Sequence, residues 1–157
     1  MPGYVLDTNH ISAYFEQQPN LIARIRALPA ETFLFVSAIT LGEIEAGHRM
    51  NEPRDPNGQH ARGAFVAFVT ETFLPFTLSI TDSTRSYYAQ VMEALWRDCA
   101  PATRRTRTEY HLAHEFGVDI NDVWIVASAL EHNLTLVTQD AMERIVNVVA
   151  VRIESWL

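Results

Sequence analysis

The chain has no lysine; its twelve basic residues are all arginine, so any phosphate recognition falls to guanidinium forks rather than to compact ammonium charges. It has one cysteine, Cys99, which excludes an intramolecular disulfide. No apolar run approaches the roughly 18 residues that a membrane helix requires. The opening Met1-Pro2-Gly3-Tyr4-Val5-Leu6-Asp7 has no basic segment and reaches an acid too soon for a signal peptide. These absences make a cytoplasmic protein without membrane attachment the expectation. There is also no repeat, low-complexity tract or compositional break. With 157 residues, 48% of them apolar, the chain is read as one domain spanning 1–157 and able to bury a core.

The net charge of −7 does not favour nucleic-acid binding, because phosphate contacts come from cationic side chains. The argument weakens if several acids share one metal site whose cations cancel them.

Along the chain, Tyr4-Val5-Leu6 reads as a short buried strand ending at Asp7, with a helix following through Ile11, Tyr14 and Phe15. Leu21, Ile25 and Leu28 form a second helical stripe, which also suggests a surface for self-association. Thr32 to Val36 is rich in strand formers, and Ser37 opens a helix through Leu41, Ile44 and His48. Asn51 to Gln59 reads as a loop, and Ala64 to Phe73 as helix. Thr77 to Ile80 is a strand candidate ahead of a helix capped by Asp82 or Ser83, with Tyr87, Val91, Ala94 and Leu95 inward. Tyr110 to Phe116 resumes helix up to Gly117. Val123 to Leu130 is apolar on nearly every side and predicts a buried helix. Leu134 to Thr138 and Asn147 to Val151 are read as strands. Strands alternating with helices imply an α/β fold with a parallel sheet covered on both faces.

Four acids occupy informative places. Asp7 and Asp140 follow predicted strands at their carboxyl ends, the edge at which open parallel sheets bind ligands. Glu43 lies in the first turns of the helix after the second strand, and Asp122 opens the apolar helix. Each has an ordinary explanation: Asp7 as a helix cap, Glu43 as the partner of Thr40 in a capping box, Asp122 as a first-turn acid, Asp140 as a turn residue. Together they converge on one sheet edge. Clustered carboxylates disfavour one another's ionisation, and a hard divalent cation with oxygen ligands removes that cost. Mg²⁺ or Mn²⁺ in such a site can activate water against a phosphodiester. Hydrolysis of that kind leaves a 3′-hydroxyl and a 5′-phosphate.

Val5-Leu6-Asp7-Thr8-Asn9, Ser37-Ala38-Ile39-Thr40-Leu41-Gly42-Glu43-Ile44, Ile120-Asn121-Asp122 with Ile125-Val126-Ala127-Ser128-Ala129, and Leu134-Thr135-Leu136-Val137-Thr138-Gln139-Asp140 resemble, in order, the acid-bearing segments of PIN domains, and specifically of VapC-type toxins from bacterial toxin–antitoxin pairs. The resemblance spans the whole chain. It implies a three-layer α/β/α fold around a short, mostly parallel sheet. It also implies Mg²⁺- or Mn²⁺-dependent endoribonuclease activity on RNA, a homodimer, and a cognate antitoxin. By position, Asp7, Glu43, Asp122 and Asp140 would be metal ligands and catalytic residues, with Asn9 and Thr138 as supporting polar residues. Asp119 is an additional acid, read first as a helix cap.

The segment from Asp98 to Gly117 is longer than in compact members of that family and carries Arg104, Arg105 and Arg107. These could fork onto RNA phosphates, form a solvated face with Glu109 and Glu115, or meet a protein partner. His111 and His114 have a spacing that could bind zinc, but no third ligand is evident. His10 follows the first acid closely enough to reach substrate, although most of the six scattered histidines are read as ordinary surface or packing residues. Other acidic-site classes fit less well. Receiver domains need a lysine, and dehalogenase-like phosphatases need a second Asp where Asn9 stands. RNase H-like nucleases usually open with hairpins that are not signalled here. The competing reading from another class is a non-catalytic RNA- or protein-binding module controlled by a partner.

Overall fold

The computed structural model describes residues 3–51, 58–99 and 109–157. Five strands form one sheet: β1 (Gly3–Leu6), β2 (Phe33–Ser37), β3 (Thr77–Leu78), β4 (Thr135–Val137) and β5 (Arg152–Glu154), in the order β3-β2-β1-β4-β5. Every pairing is parallel. Parallel neighbours need crossovers, and the crossovers are helical. They are α1 (Thr8–Phe15), α2 (Pro19–Arg26), α3 (Ala38–Asn51), α4 (Gln59–Phe73), α5 (Asp82–Cys99), α6 (Glu109–Phe116), α7 (Ile120–Glu131) and the short α8 (Glu143–Val146).

The central strands explain the layering. Successive strand residues point to opposite faces. Val5 and Leu136 therefore enter one core with Val91 and Leu95 of α5 and Val123 and Val126 of α7. Leu6, Val36 and Val137 enter the other core with Ile11, Leu21, Val69 and Phe73. Both faces of the sheet are covered, which is the three-layer α/β/α arrangement expected. Val123 and Val126 are fully buried, as the all-round apolar pattern of α7 requires.

Several elements differ from the sequence reading. The last strand is Arg152–Glu154, beyond the predicted 147–151. Residues 147–149 instead close the turn after α8, where the Val148 and Val149 amides donate to the Ile145 carbonyl. β5 lies at the sheet edge and its Arg-Ile-Glu sequence has no apolar run to mark it. The strand predicted over 77–80 is only Thr77–Leu78, because Thr81 is taken up by α5, its amide donating to Thr84 Oγ1. Of the Leu21, Ile25 and Leu28 stripe, Leu21 is fully buried, and Ile25 and Leu28 are partly buried against the second core. His10 is also interior and fully buried. Its Nε2 accepts the Trp156 amide at 3.1 Å, tying the end of the chain to α1. It is a packing residue and has no access to substrate. The expected 51–59 loop falls largely outside the described residues.

Leu136, fully buried on β4, tests this core. Leu136→Ala is expected to lower unfolding free energy by about 3 kcal/mol. Met50→Ala, at a side chain 68% exposed, should change it by less than about 0.5 kcal/mol. Urea denaturation measures both, and equal effects would contradict the assigned core.

Candidate functional site

The site grows from the point where β1 and β4 stop. Leu6 pairs with Val137, and the next residue, Asp7, donates its amide to the Val137 carbonyl at 3.0 Å. The side chain of Asp7 then turns to the start of α1. Its Oδ1 accepts the Thr8 amide at 2.7 Å, and its Oδ2 accepts the Thr138 hydroxyl at 2.9 Å. Thr138 Oγ1 accepts the Asp140 amide at 3.0 Å, and Asp140 Oδ1 accepts the Met142 amide at 2.9 Å. A continuous polar chain thus runs from Asp7 through Thr138 to Asp140. The ordinary roles considered for Asp7 and Asp140, helix cap and turn residue, are present alongside this convergence and do not compete with it.

Glu43 behaves differently from its ordinary reading. Ser37, rather than Thr40, caps α3, its Oγ accepting the Thr40 amide at 3.1 Å. Glu43 is left to cross to α7, where its Oε1 accepts the Asn121 side-chain amide at 2.6 Å. Asp119 is the N-cap of α7, as expected, and accepts the Asn121 backbone amide at 2.8 Å. Asn121 is therefore the residue that joins the Glu43 and Asp122 segments. Sequence reasoning quoted it in a motif but gave it no role, since nothing in spacing shows an amide reaching another helix. Asn9 is exposed on α1 and makes no side-chain hydrogen bond among the described residues.

Electrostatics shows the convergence most directly. The Asp122 carboxyl is pushed up to about 7, first by burial and then by the charges of Asp119, Asp7, Asp140 and Glu43. Glu43 is also raised by burial and by Asp7 and Asp119, with the Asn121 hydrogen bond opposing. One group can feel four other acids only if all lie at one place. The side chains are nevertheless held by their own donors. Among the described residues, no three acidic, histidine or cysteine groups surround a single ion position. The donor set itself is uniformly hard oxygen with an excess of negative charge, which fits Mg²⁺ or Mn²⁺ and not zinc.

A cleft of about 310 Å³ opens beside these acids, lined by Asp119, Asp122 and Asp140, with Gly117, Met142 and Arg144 around it. Arg144 was not singled out by the sequence. Arg104, Arg105 and Arg107, which were, lie outside the described residues. His111 and His114 do not form a described metal site, and the His111 side chain is likewise outside them.

This is a parallel-sheet α/β domain with a carboxylate cluster at the carboxyl edge of its strands. The PIN domain family model matches residues 4–147, and the chain belongs to that family. No curated protein sequence matches it. Solved structures resemble it in fold. A chain of VapBC2 from Rickettsia felis, solved bound to a DNA fragment from its promoter, superposes with a TM-score of 0.72 at 16% identity, covering 99% of each chain. A chain of VapBC-1 from nontypeable Haemophilus influenzae gives 0.70 at 20% identity over 98% of each. A chain of VapBC-5 from Mycobacterium tuberculosis, of the VapBC family of toxin–antitoxin systems, gives 0.58 at 24% identity over 99% of this chain and 98% of that one.

The raised Asp122 carboxyl carries a stability consequence. Between its ordinary value of 3.8 and about 7 the folded protein holds a proton that the unfolded chain has released. Stability therefore falls as pH rises through that window. In EDTA the melting temperature should drop between about pH 5 and pH 8. Asp122→Asn should melt above the wild type at the upper pH, with the gap closing at the lower. Parallel pH profiles for the two proteins would contradict the electrostatic picture of the cluster.

Proposed function

We propose that this PIN domain is a Mg²⁺- or Mn²⁺-dependent endoribonuclease acting as the toxin of a cytoplasmic toxin–antitoxin pair. The observation that carries the reading is the electrostatic convergence of Asp7, Glu43, Asp119 and Asp140 on Asp122 at the carboxyl edge of the sheet. An uncompensated cluster of that kind costs stability, and it is retained at the place where parallel sheets bind substrates. Asp7, Glu43, Asp122 and Asp140 are the residues that would hold the cation. A bound divalent ion supplies Lewis-acid activation of water and neutralises charge developing on the phosphate.

The chain's own residues fix the rest. Thr138 holds Asp7 and the Asp140 backbone together, so the two strand-end acids keep one spacing. Asn121 orients Glu43 across the helix boundary. Asp119 anchors the start of α7 and adds negative charge beside Asp122. In the hydrolysis, water adds its oxygen to phosphorus, the bond to the 3′-oxygen breaks, and the water protons pass to the leaving oxygen and to solvent. The products are a 3′-hydroxyl and a 5′-phosphate. The fold neighbours from VapBC systems support a cognate antitoxin as protein partner. The family resemblance supports a homodimer.

The test is incubation of the purified, partner-free protein with total RNA plus Mg²⁺, Mn²⁺ or EDTA. Cleavage should require the metal and be lost in Asp7→Asn. Asn121→Ala should reduce the rate roughly 10–100-fold, the usual cost of releasing a metal ligand from its supporting group. Metal-dependent products ending in 2′,3′-cyclic phosphate would overturn the proposed hydrolysis. A folded, metal-loaded protein that leaves RNA intact would instead favour the partner-regulated binding module.

A further inference from the structure

Among the described residues that line the cleft beside the acids, one side chain is cationic. Arg144 lines the cleft together with Asp119, Asp122 and Asp140, yet among the described residues it forms no ion pair with any of them. Its neighbours are of another kind. Its Nη1 donates to the Cys99 sulfur at 3.7 Å, and its guanidinium carbon lies 5.9 Å from the centre of the Phe116 ring. A ring face steadies a guanidinium without consuming its in-plane donors. The Arg144 fork is thus steadied at the end of α5 and at α6 while its remaining N–H groups stay available to the cleft.

The backbone that carries Arg144 is also unusual. Met142, two residues earlier, is a buried non-glycine residue in the left-handed region at φ 44° and ψ 40°. Such a conformation costs energy and persists only where surrounding structure enforces it. Here Asp140 Oδ1 takes the Met142 amide, so the acid at the end of β4 directs the turn that places Arg144. Gly117, which also lines the cleft and follows Phe116, stands at φ 65° and leaves open space where a side chain would be. The cleft therefore combines acids, an arginine free of carboxylate partners and an unobstructed wall.

We propose that Arg144 is a substrate-binding residue, its guanidinium taking an RNA phosphate next to the one hydrolysed at the acidic edge. This rests on the nuclease reading above and deepens it. It puts phosphate recognition on the β4–α8 turn rather than on Arg104, Arg105 and Arg107 alone. A cationic fork beside a cluster of acids would also align a polyanion: Asp7, Glu43, Asp122 and Asp140 would hold the cations that draw the scissile phosphate, and Arg144 would fix its neighbour.

The test uses one single-stranded oligoribonucleotide that the wild type cleaves with Mn²⁺, with salt varied from about 50 to 200 mM. Arg144→Ala should raise KM about tenfold and leave kcat within about twofold, as loss of a binding contact requires. The slope of log(kcat/KM) against log[salt] should become shallower by about 0.7, the value for one phosphate contact on a single strand. Arg144→Lys should keep the slope and recover part of KM. Arg85→Ala is the control, because Arg85 lies near the start of α5, where Thr81 meets Glu131 at the far end of α7. A second arm measures equilibrium binding of the same oligonucleotide to Asp7→Asn protein with and without Arg144→Ala. Unchanged KM, binding and salt slope in a variant with normal melting would overturn the assignment while leaving the nuclease reading intact. Weakened binding by Arg144→Ala in a protein whose wild type cleaves no RNA would uphold the phosphate site and overturn the nuclease reading.

Discussion

The parallel pairing of β1 with β4 is the constraint on which the rest of the site depends. These strands lie far apart in sequence, yet Leu6 pairs with Val137 and the Asp7 amide continues the ladder onto the Val137 carbonyl. Both strands consequently stop at one level, and the residues just beyond them, Asp7 and Thr138, meet side chain to side chain. A slip of one residue would send Leu6 and Val137 to the wrong face of the sheet and carry the acids with them. The register is fixed by burial on both faces, since Val5 and Leu6 serve opposite cores and neither can be exposed. Core packing thereby sets the spacing of a polar site several residues away.

The second constraint is the position of α7. This helix is buried along most of its length, and its first turn is the part that reaches the sheet edge. Asp119, Asn121 and Asp122 thus stand at the start of a helix whose body is mostly buried from Val123 to Ala129. Burial, rather than any single neighbouring charge, is accordingly the leading cause of the shift at Asp122. An acid raised to about 7 is a poor choice for stability, and on the proposed reading a bound cation would offset that cost. Asn121 shows how the two demands are reconciled. It is a neutral donor between Glu43 and Asp119, where another acid would add repulsion and an apolar residue would leave Glu43 without a partner.

The sequence made the central architecture legible because central parallel strands and buried helices are contiguous apolar runs. Tyr4-Val5-Leu6, Leu134 to Thr138 and Val123 to Leu130 announce themselves with no knowledge of their partners, and the acids at their ends follow from position. Peripheral elements were less legible for a physical reason. β5 is an edge strand of polar sequence, whereas the nearby valines at 148–151 pack against the core from a turn and its exit. The reach of His10 toward substrate was misread because its placement is settled by a distant contact, with Trp156. Periodicity identifies a buried face but does not say what buries it. The bridge from Asn121 to Glu43 was hidden in the same way, being a side-chain contact across 78 residues.

The net charge of −7 initially counts against a polyanionic substrate, and the structure shows why a total is the wrong quantity here. Exposed charges are screened within about 8–10 Å at physiological salt, so a phosphate responds mainly to groups lining its own path. Among the described residues, the charged groups along the cleft are Asp119, Asp122, Asp140, Glu143 and Arg144. The acids are the residues whose charge divalent ions would neutralise, and the arginine is held by a thiol and a ring rather than by a carboxylate. On the proposed reading, bound cations would offset much of the acidic charge along this path and leave Arg144 as its cationic side chain. Such a protein would engage RNA through a small number of placed contacts and resist non-specific adhesion elsewhere.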